Sequence, residues 1–159
     1  MSKKYWDEKF ETMNESDMAA FQTEKLKATL QWVYDKVPFY KKAFDEKGVK
    51  PSDFVKLADL SKFPFTVKTD LRDNYPFGLC AVPMADVVRI HASSGRTGKP
   101  ITGPYTAEDL DQWSDCMARG LWAQELRPDS VAQNAYGMGL FTGGLGFLQG
   151  AMKIGCAVV

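Results

Sequence analysis

Leu26, Leu30, Val33 and Val37 recur at i, i+4, i+7 and i+11, with Lys27, Gln31 and Lys36 among the residues between them. That spacing predicts an amphipathic helix with one apolar stripe. Pro38 either ends this helix or opens the next. The following piece, FYKKAFDEKG, reads as a short helix closing on Gly48 as its C′ residue. Pro51, Pro64, Pro76 and Pro83 then punctuate the chain. Between them only Thr66–Tyr75 reads as helical, with Thr66 as its N-cap.

The period changes at Asp86. Val87–Ile90 reads as a strand, HASSGRTGKP (91–100) as a Gly-rich loop, and ITGPYT (101–106) as a second strand. Thr106 and Asp109 have capping-box spacing and open a helix whose core face holds Leu110, Trp113, Met117 and Leu121. Pro128–Ser130 is a turn and Val131–Tyr136 a strand. GLFTGGLGF follows, then a small-residue helix (GAMKIG) and a last strand, CAVV. This order predicts an α/β fold with parallel pairing, set behind a helical lobe. The expected division is residues 1–85 for the lobe and connection and 86–159 for the first part of an α/β domain. CAVV fits both a complete short terminal strand and a strand of a truncated domain. Its bare apolar edge predicts self-association.

Composition narrows the class. Apolar residues make up 45% and charged residues 25%, ordinary values for a globular chain. Acidic and basic residues balance at 20 each, so no nucleic-acid partner is expected. No apolar run approaches a membrane span, and MSKKYWDEKF has no apolar signal core. Cys80, Cys116 and Cys156 are far apart, which predicts reduced thiols and a cytoplasmic location. With a single His and no cysteine cluster, no metal site built from this chain is expected.

The chemistry concentrates in Ser93–Lys99. A strand feeding a Gly-rich turn points backbone N–H groups into a concavity, and Gly accepts positive φ. Ser and Thr hydroxyls add neutral donors and Lys99 a mobile charge, a set that suits polyphosphate. A Walker loop ending at Lys99 would need Gly at 93 and Ser or Thr at 100, but the chain has Ser93 and Pro100. Spacing alone leaves two readings open, a phosphate cradle and a plain Ser/Gly hairpin. A second candidate is YGMGLFTGG (136–144). Tyr136 and Phe141 have rings suited to an aromatic ligand, and five glycines between 137 and 146 admit a flat group close to the backbone. From the residues alone both rings read more readily as ordinary core after a buried strand. His91 reads as a hydrogen-bonded structural residue rather than a base.

SSGRTGKP resembles the SSGTTGKP-type phosphate loop of the adenylate-forming superfamily, the acyl and aryl coenzyme A ligases. YWDEKFETM, VPFYKKAFDEKGV, LSKFPFTVKTDLRDNYPFGL, VVRIHASSGRTGKP and QNAYGMGLFTGGLGF together resemble the phenylacetate–coenzyme A ligase family, in order, from Tyr5 to the last residue. The resemblance implies two steps. A carboxylate attacks the α-phosphate of ATP, releasing pyrophosphate, and the coenzyme A thiol then displaces AMP from the acyl adenylate. It assigns Ser93, Ser94, Gly95, Thr97, Gly98 and Lys99 to the grip on the β- and γ-phosphates, where a leaving pyrophosphate needs electrostatic stabilisation. It makes Tyr136 and Phe141 walls of a pocket for a small aromatic carboxylic acid. ATP, Mg²⁺ and coenzyme A are the implied co-reactants.

Arg96 departs from the pattern, because the family has a hydroxyl residue there. Arg is larger and carries a fixed charge with five donors, and it is expected to turn outward. Family members are much longer, and the segments they add hold the ribose- and metal-side acidic residues and a lid bearing the catalytic Lys. The isolated chain is therefore expected to be inactive. A non-catalytic binding or assembly module, and an adenylating enzyme for another aryl or acyl acid, are the alternatives.

Overall fold

The structure, a computed structural model, describes residues 3–95, 98, 100–139 and 142–159. Its helices are α1 (Glu8–Glu11), α2 (Glu15–Lys36), α3 (Pro38–Lys47), α4 (Lys68–Asp73), α5 (Ala107–Ala123) and α6 (Thr142–Ile154). Its strands are β1 (Val87–Ala92), β2 (Thr102–Thr106), β3 (Val131–Ala132) and β4 (Ala157–Val158). Short 3-10 turns at Pro51–Asp53, Leu57–Lys62 and Met84–Asp86 complete the order.

The lobe is built around the stripe on α2. The Asn14 side chain caps the helix by accepting from the Asp17 N–H at 2.9 Å. Pro38 does both expected things: α2 stops at Lys36 and Pro38 stands in the first turn of α3. Gly48 closes α3 at φ 70°, a left-handed conformation that favours glycine. Leu30, Phe44, Phe54 and Phe63 form the lobe core, with Phe63 edge-on to Phe44 at 5.1 Å and 67°. Burying side chains of this size stabilises by roughly 1.5–3 kcal/mol each.

Asp59 fixes the segment that brings Phe54 and Phe63 together. Its buried carboxylate accepts the N–H groups of Val55 (3.0 Å) and Lys56 (2.9 Å) and pairs with Lys62 at 2.9 Å. Lys62 first, then the two amides, hold its pKa down at about 2.

A second core joins α5, α6 and the end of the chain. Ala118, Leu121, Trp122, Ala151, Ile154 and Cys156 are buried, and Trp6 packs against them. The first residues of the chain thus reach across to the α/β part. Thr106 and Asp109 form the predicted capping box of α5. The buried face of α5 is Ser114, Ala118, Leu121 and Trp122, while Leu110, Trp113 and Met117 are half-buried beside it.

Four local expectations need correction. Thr66 caps nothing. Residue 67 is the N-cap of α4, the Asp70 carboxylate accepts the Val67 N–H at 2.8 Å, and the Thr66 hydroxyl donates to Tyr40 at 3.1 Å. The strand expected over 131–136 is two residues long, because Asn134 turns the chain. Its amide donates to the Gly144 carbonyl at 2.8 Å and its Oδ1 accepts the Tyr136 N–H at 3.3 Å. The helix expected at 150–155 begins at Thr142, so TGGLGF is helical. Among the described residues pairing is parallel only across α6, where Val131 faces Ala157 and Ala132 faces Val158. β1 and β2 form an antiparallel hairpin with a bulge between Val87 and Arg89. The two pairs are separate two-stranded sheets.

Candidate functional site

The Gly-rich loop is the tip of the β1–β2 hairpin. At its foot the Ser93 N–H donates to the Ile101 carbonyl at 2.9 Å, and the Ile101 N–H donates back to Ser93 Oγ at 2.9 Å. Ser93 therefore closes the hairpin as an acceptor and keeps its own hydroxyl proton for another partner. Inside the loop the Gly98 N–H donates to the Gly95 carbonyl at 3.0 Å. Gly95 has φ 64°, and a Cβ on it would lie 3.1 Å from Gly98 O and 3.4 Å from the Pro100 nitrogen. A side chain there would be strained by the backbone and crowd the turn. Ser94 and Gly98 are exposed. The described part of the hairpin thus has a left-handed turn at Gly95 and the Ser93 hydroxyl at its base. Arg96, Thr97 and Lys99 lie outside the described residues.

His91 supports the foot from below. It is 3% exposed, and its ring stands edge-on to Tyr105 at 5.1 Å and to Trp113 at 5.2 Å. Tyr105 and Trp113 are stacked at 5.7 Å and 23°. The packing matches the structural role expected of it. A cavity of 450 Å³ opens beside the foot, lined by Ser93, His91, Thr102 and Tyr105 from the hairpin, Lys68 from α4 and Thr142 from α6. Lys68, Thr102 and Thr142 had no signal in the sequence. They lie 25 residues before, 9 after and 49 after Ser93, and no motif joins them.

The second candidate lies against the first turns of α6. Tyr136 is 66% exposed and stacks on Phe147 at 6.2 Å and 25°. The ring is therefore not buried within this chain. Tyr136 and Phe147 line a cleft of 470 Å³ together with Val131, Asn134, Ala151 and Val158. Gly143 and Gly144 lie against the Tyr136 ring and Cβ; a Cβ on Gly144 would come within 2.8 Å of Gly137 O. Phe141 lies outside the described residues. The cleft is mainly apolar, with Gln133, Asn134 and Tyr136 as its polar residues, a lining suited to a flat apolar body carrying one polar end.

Among the described residues no three His, Cys, Asp or Glu side chains gather into a metal-binding group. No described helix is long and apolar enough to cross a membrane.

No family model matches the chain. Curated relatives do. The chain is 53% identical over 152 residues to phenylacetate–coenzyme A ligase of Aromatoleum evansii, covering 96% of this chain and 34% of that protein. It is 52% identical over 149 residues to the ligases of the same name from Escherichia coli (strain K12) and Thermus thermophilus, covering 94% of this chain and 34% of each. The chain thus spans about a third of the length of these relatives. Among solved structures, 2-hydroxyisobutyryl-CoA ligase in an open conformation with 2-HIB-AMP and CoA matches with a TM-score of 0.92 at 27% identity. That match covers 99% of this chain and 37% of the ligase. The same ligase in its thioesterification state matches at 0.93 and 28%. In sequence and fold this chain is similar to about a third of these coenzyme A ligases.

Proposed function

We propose that this chain supplies the phosphate-gripping hairpin and part of the acid pocket of an ATP-dependent phenylacetate–coenzyme A ligase. Residues 1–85 would serve as the helical lobe and connection, and 86–159 as the first part of the adenylation domain. The identity of 53% and 52% to ligases of that name, running through nearly the whole chain, carries this reading. Ser93, Ser94, Gly95, Thr97, Gly98 and Lys99 hold the β- and γ-phosphates, and Arg96 belongs to the same loop with its side chain turned outward. The left-handed turn at Gly95 and the spare Ser93 proton support this role. Tyr136 and Phe141 flank the aryl ring of the acid. The exposed Tyr136 ring and its apolar cleft support that placement. Coenzyme A is the acceptor of the acyl group. Mg²⁺ accompanies ATP, and no residue of this chain is assigned to it. A cytoplasmic location and self-association belong to the same reading. The exposed Val131 and Val159 on the β3–β4 pair support association, which sedimentation at rising concentration tests.

A second reading, a ligase for another acid, draws on the fold match to 2-hydroxyisobutyryl-CoA ligase. The deciding experiment replaces the matching 149 residues of the Escherichia coli relative with this chain. Phenylacetate-dependent pyrophosphate exchange and thioester formation by the folded chimera are the expected results. A folded chimera active only on another acid supports the second reading. A folded chimera inert toward every acid supplied marks the chain as a non-catalytic module.

A further inference from the structure

Asn134 ties three separate segments together at one point. Its backbone N–H donates to the Val159 carbonyl at 2.9 Å. Its side-chain amide donates to the Gly144 carbonyl, in the first turn of α6, at 2.8 Å and accepts the Tyr136 N–H at 3.3 Å. Among the described residues, 135–139 make no backbone–backbone hydrogen bond, so the Asn134 side chain is the tether of the stretch that carries Tyr136. That stretch lies as near to α6 as glycine allows, since a Cβ on Gly144 would come within 2.8 Å of Gly137 O and 3.2 Å of the Tyr136 Cβ. The Tyr136 ring itself is 66% exposed and rests on Phe147 and Gly143. An amide is the side chain that fits at 134, because one end must donate to a carbonyl while the other accepts an N–H. A carboxylate of the same size would set a negative oxygen against the Gly144 carbonyl. Leucine would leave both backbone groups without this partner.

We propose that Asn134 is a positioning residue for the acid. It holds the Tyr136 ring against the first turns of α6 and so fixes the wall on which an aromatic carboxylic acid rests. It acts through Tyr136, by keeping an exposed ring where the acid meets it. The proposal rests on the reading of the Tyr136 cleft as the acid pocket.

Placement is tested in the chain itself. The Tyr136 ring protons should show a nuclear Overhauser contact to the Gly143 α-protons, since a Cβ on Gly143 would lie 3.6 Å from the ring. Asn134→Leu and Asn134→Asp are expected to lose that contact while the contacts between α5 and α6 persist. Survival of the contact in both variants overturns the tether. Use of the acid is tested in the chimera carrying this chain. Asn134→Leu is expected to raise KM for phenylacetate about threefold or more, with kcat and KM for ATP within about twofold. On a Tyr136→Ala background it is expected to add nothing further, because residues that act through one another are not additive. Trp6→Phe removes a core hydrogen bond away from the cleft and is expected to leave KM for the acid unchanged. If Tyr136→Ala raises KM for phenylacetate and Asn134→Leu does not, the acid pocket stands and the role given to Asn134 is overturned. Full additivity with Tyr136→Ala overturns action through the ring. Equal effects of Asn134→Leu and Trp6→Phe also overturn it, because KM would then follow stability. If the folded chimera turns over no acid, or Tyr136→Ala leaves KM for the acid unchanged, the pocket reading fails and the role of Asn134 falls with it.

Discussion

The indole N–H of Trp6 donates to the Asp115 carboxylate at 2.8 Å, joining the first described turn of the chain to the middle of α5 across 109 positions. The Trp6 ring also stands 5.6 Å from Trp122, and the Trp122 N–H donates to the Lys4 carbonyl at 3.3 Å. Arg119 sits in the same seam, 3.5 Å from both Glu11 and Asp115. The beginning of the chain is therefore a structural part of the α5–α6 core. Trp6→Phe keeps most of the packing and removes a charge-assisted hydrogen bond, a loss of about 1.5–3 kcal/mol at most. Trp6→Ala loses the ring as well and is expected to cost more, up to about 3–5 kcal/mol. Urea unfolding followed by tryptophan fluorescence ranks the two; equal midpoints for Trp6→Ala and the unsubstituted chain would contradict this account.

Asp59 gives the lobe an acid limit. Its folded pKa of about 2 lies below its ordinary value, which is roughly 3.9 in an unfolded chain. A depressed carboxylate pKa means the unfolded state binds more protons in this range. Its contribution is complete above the unfolded value and is lost as pH falls through the folded one. The lobe is expected to weaken between about pH 4 and pH 2. Asp59→Asn removes the ion pair to Lys62 and this titration. The variant should be less stable at pH 7 and have a flatter acid limb, measured by circular dichroism against pH. An unchanged acid limb would assign the transition to other carboxylates.

The sequence and structure agree where one residue type has one physical solution. The α2 stripe, Pro38, Gly48 and the Thr106–Asp109 box each specify local geometry with little help from distant contacts, and each appears as expected. Disagreement appears where partners lie far away. Thr66 looks like a cap, but Val67 takes the N-cap position, with Asp70 accepting its N–H, and the Thr66 hydroxyl goes to Tyr40. TGGLGF has poor helix propensity, yet it is helical, and its Gly146 lets α6 approach Trp113 of α5. At the candidate site, the hairpin was readable from its Gly and Ser content. The stacking of Phe147 on Tyr136 and the place of Lys68 were not, since both depend on how separate elements meet.

That close approach gives a paired prediction. A Cβ on Gly150 would lie 2.7 Å from the Met117 Cβ and 3.0 Å from the Ala118 backbone nitrogen, neither of which can swing away. Gly150→Ala is expected to destabilise by about 1–3 kcal/mol through overpacking. Gly120, in α5, has nothing within 4 Å of the same added atom. Gly120→Ala is expected to stabilise by about 0.5–1 kcal/mol, because alanine loses less backbone entropy on entering a helix. Opposite signs in chemical denaturation check the pair, and a Gly150→Ala variant as stable as the unsubstituted chain would place α5 and α6 further apart.

The Tyr136 ring is expected to govern use of the acid without governing the fold. It is 66% exposed, so its removal should change stability by no more than about 0.5 kcal/mol. Its contact with an aromatic acid, stacked alongside Phe147, is of the kind that contributes about 0.5–1.5 kcal/mol. In the chimera carrying this chain, Tyr136→Ala should therefore raise KM for phenylacetate by up to about tenfold and leave KM for ATP unchanged. Tyr136→Phe keeps the ring and should stay close to the starting value. Gly144→Ala attacks the same wall from behind, since its Cβ would press on Gly137 O at 2.8 Å and the Tyr136 Cβ at 3.2 Å. It should shift KM for the acid in the same direction while also lowering stability, because the near contact is backbone. A rise in KM for ATP with no change for phenylacetate would move Tyr136 from the acid pocket to the nucleotide side.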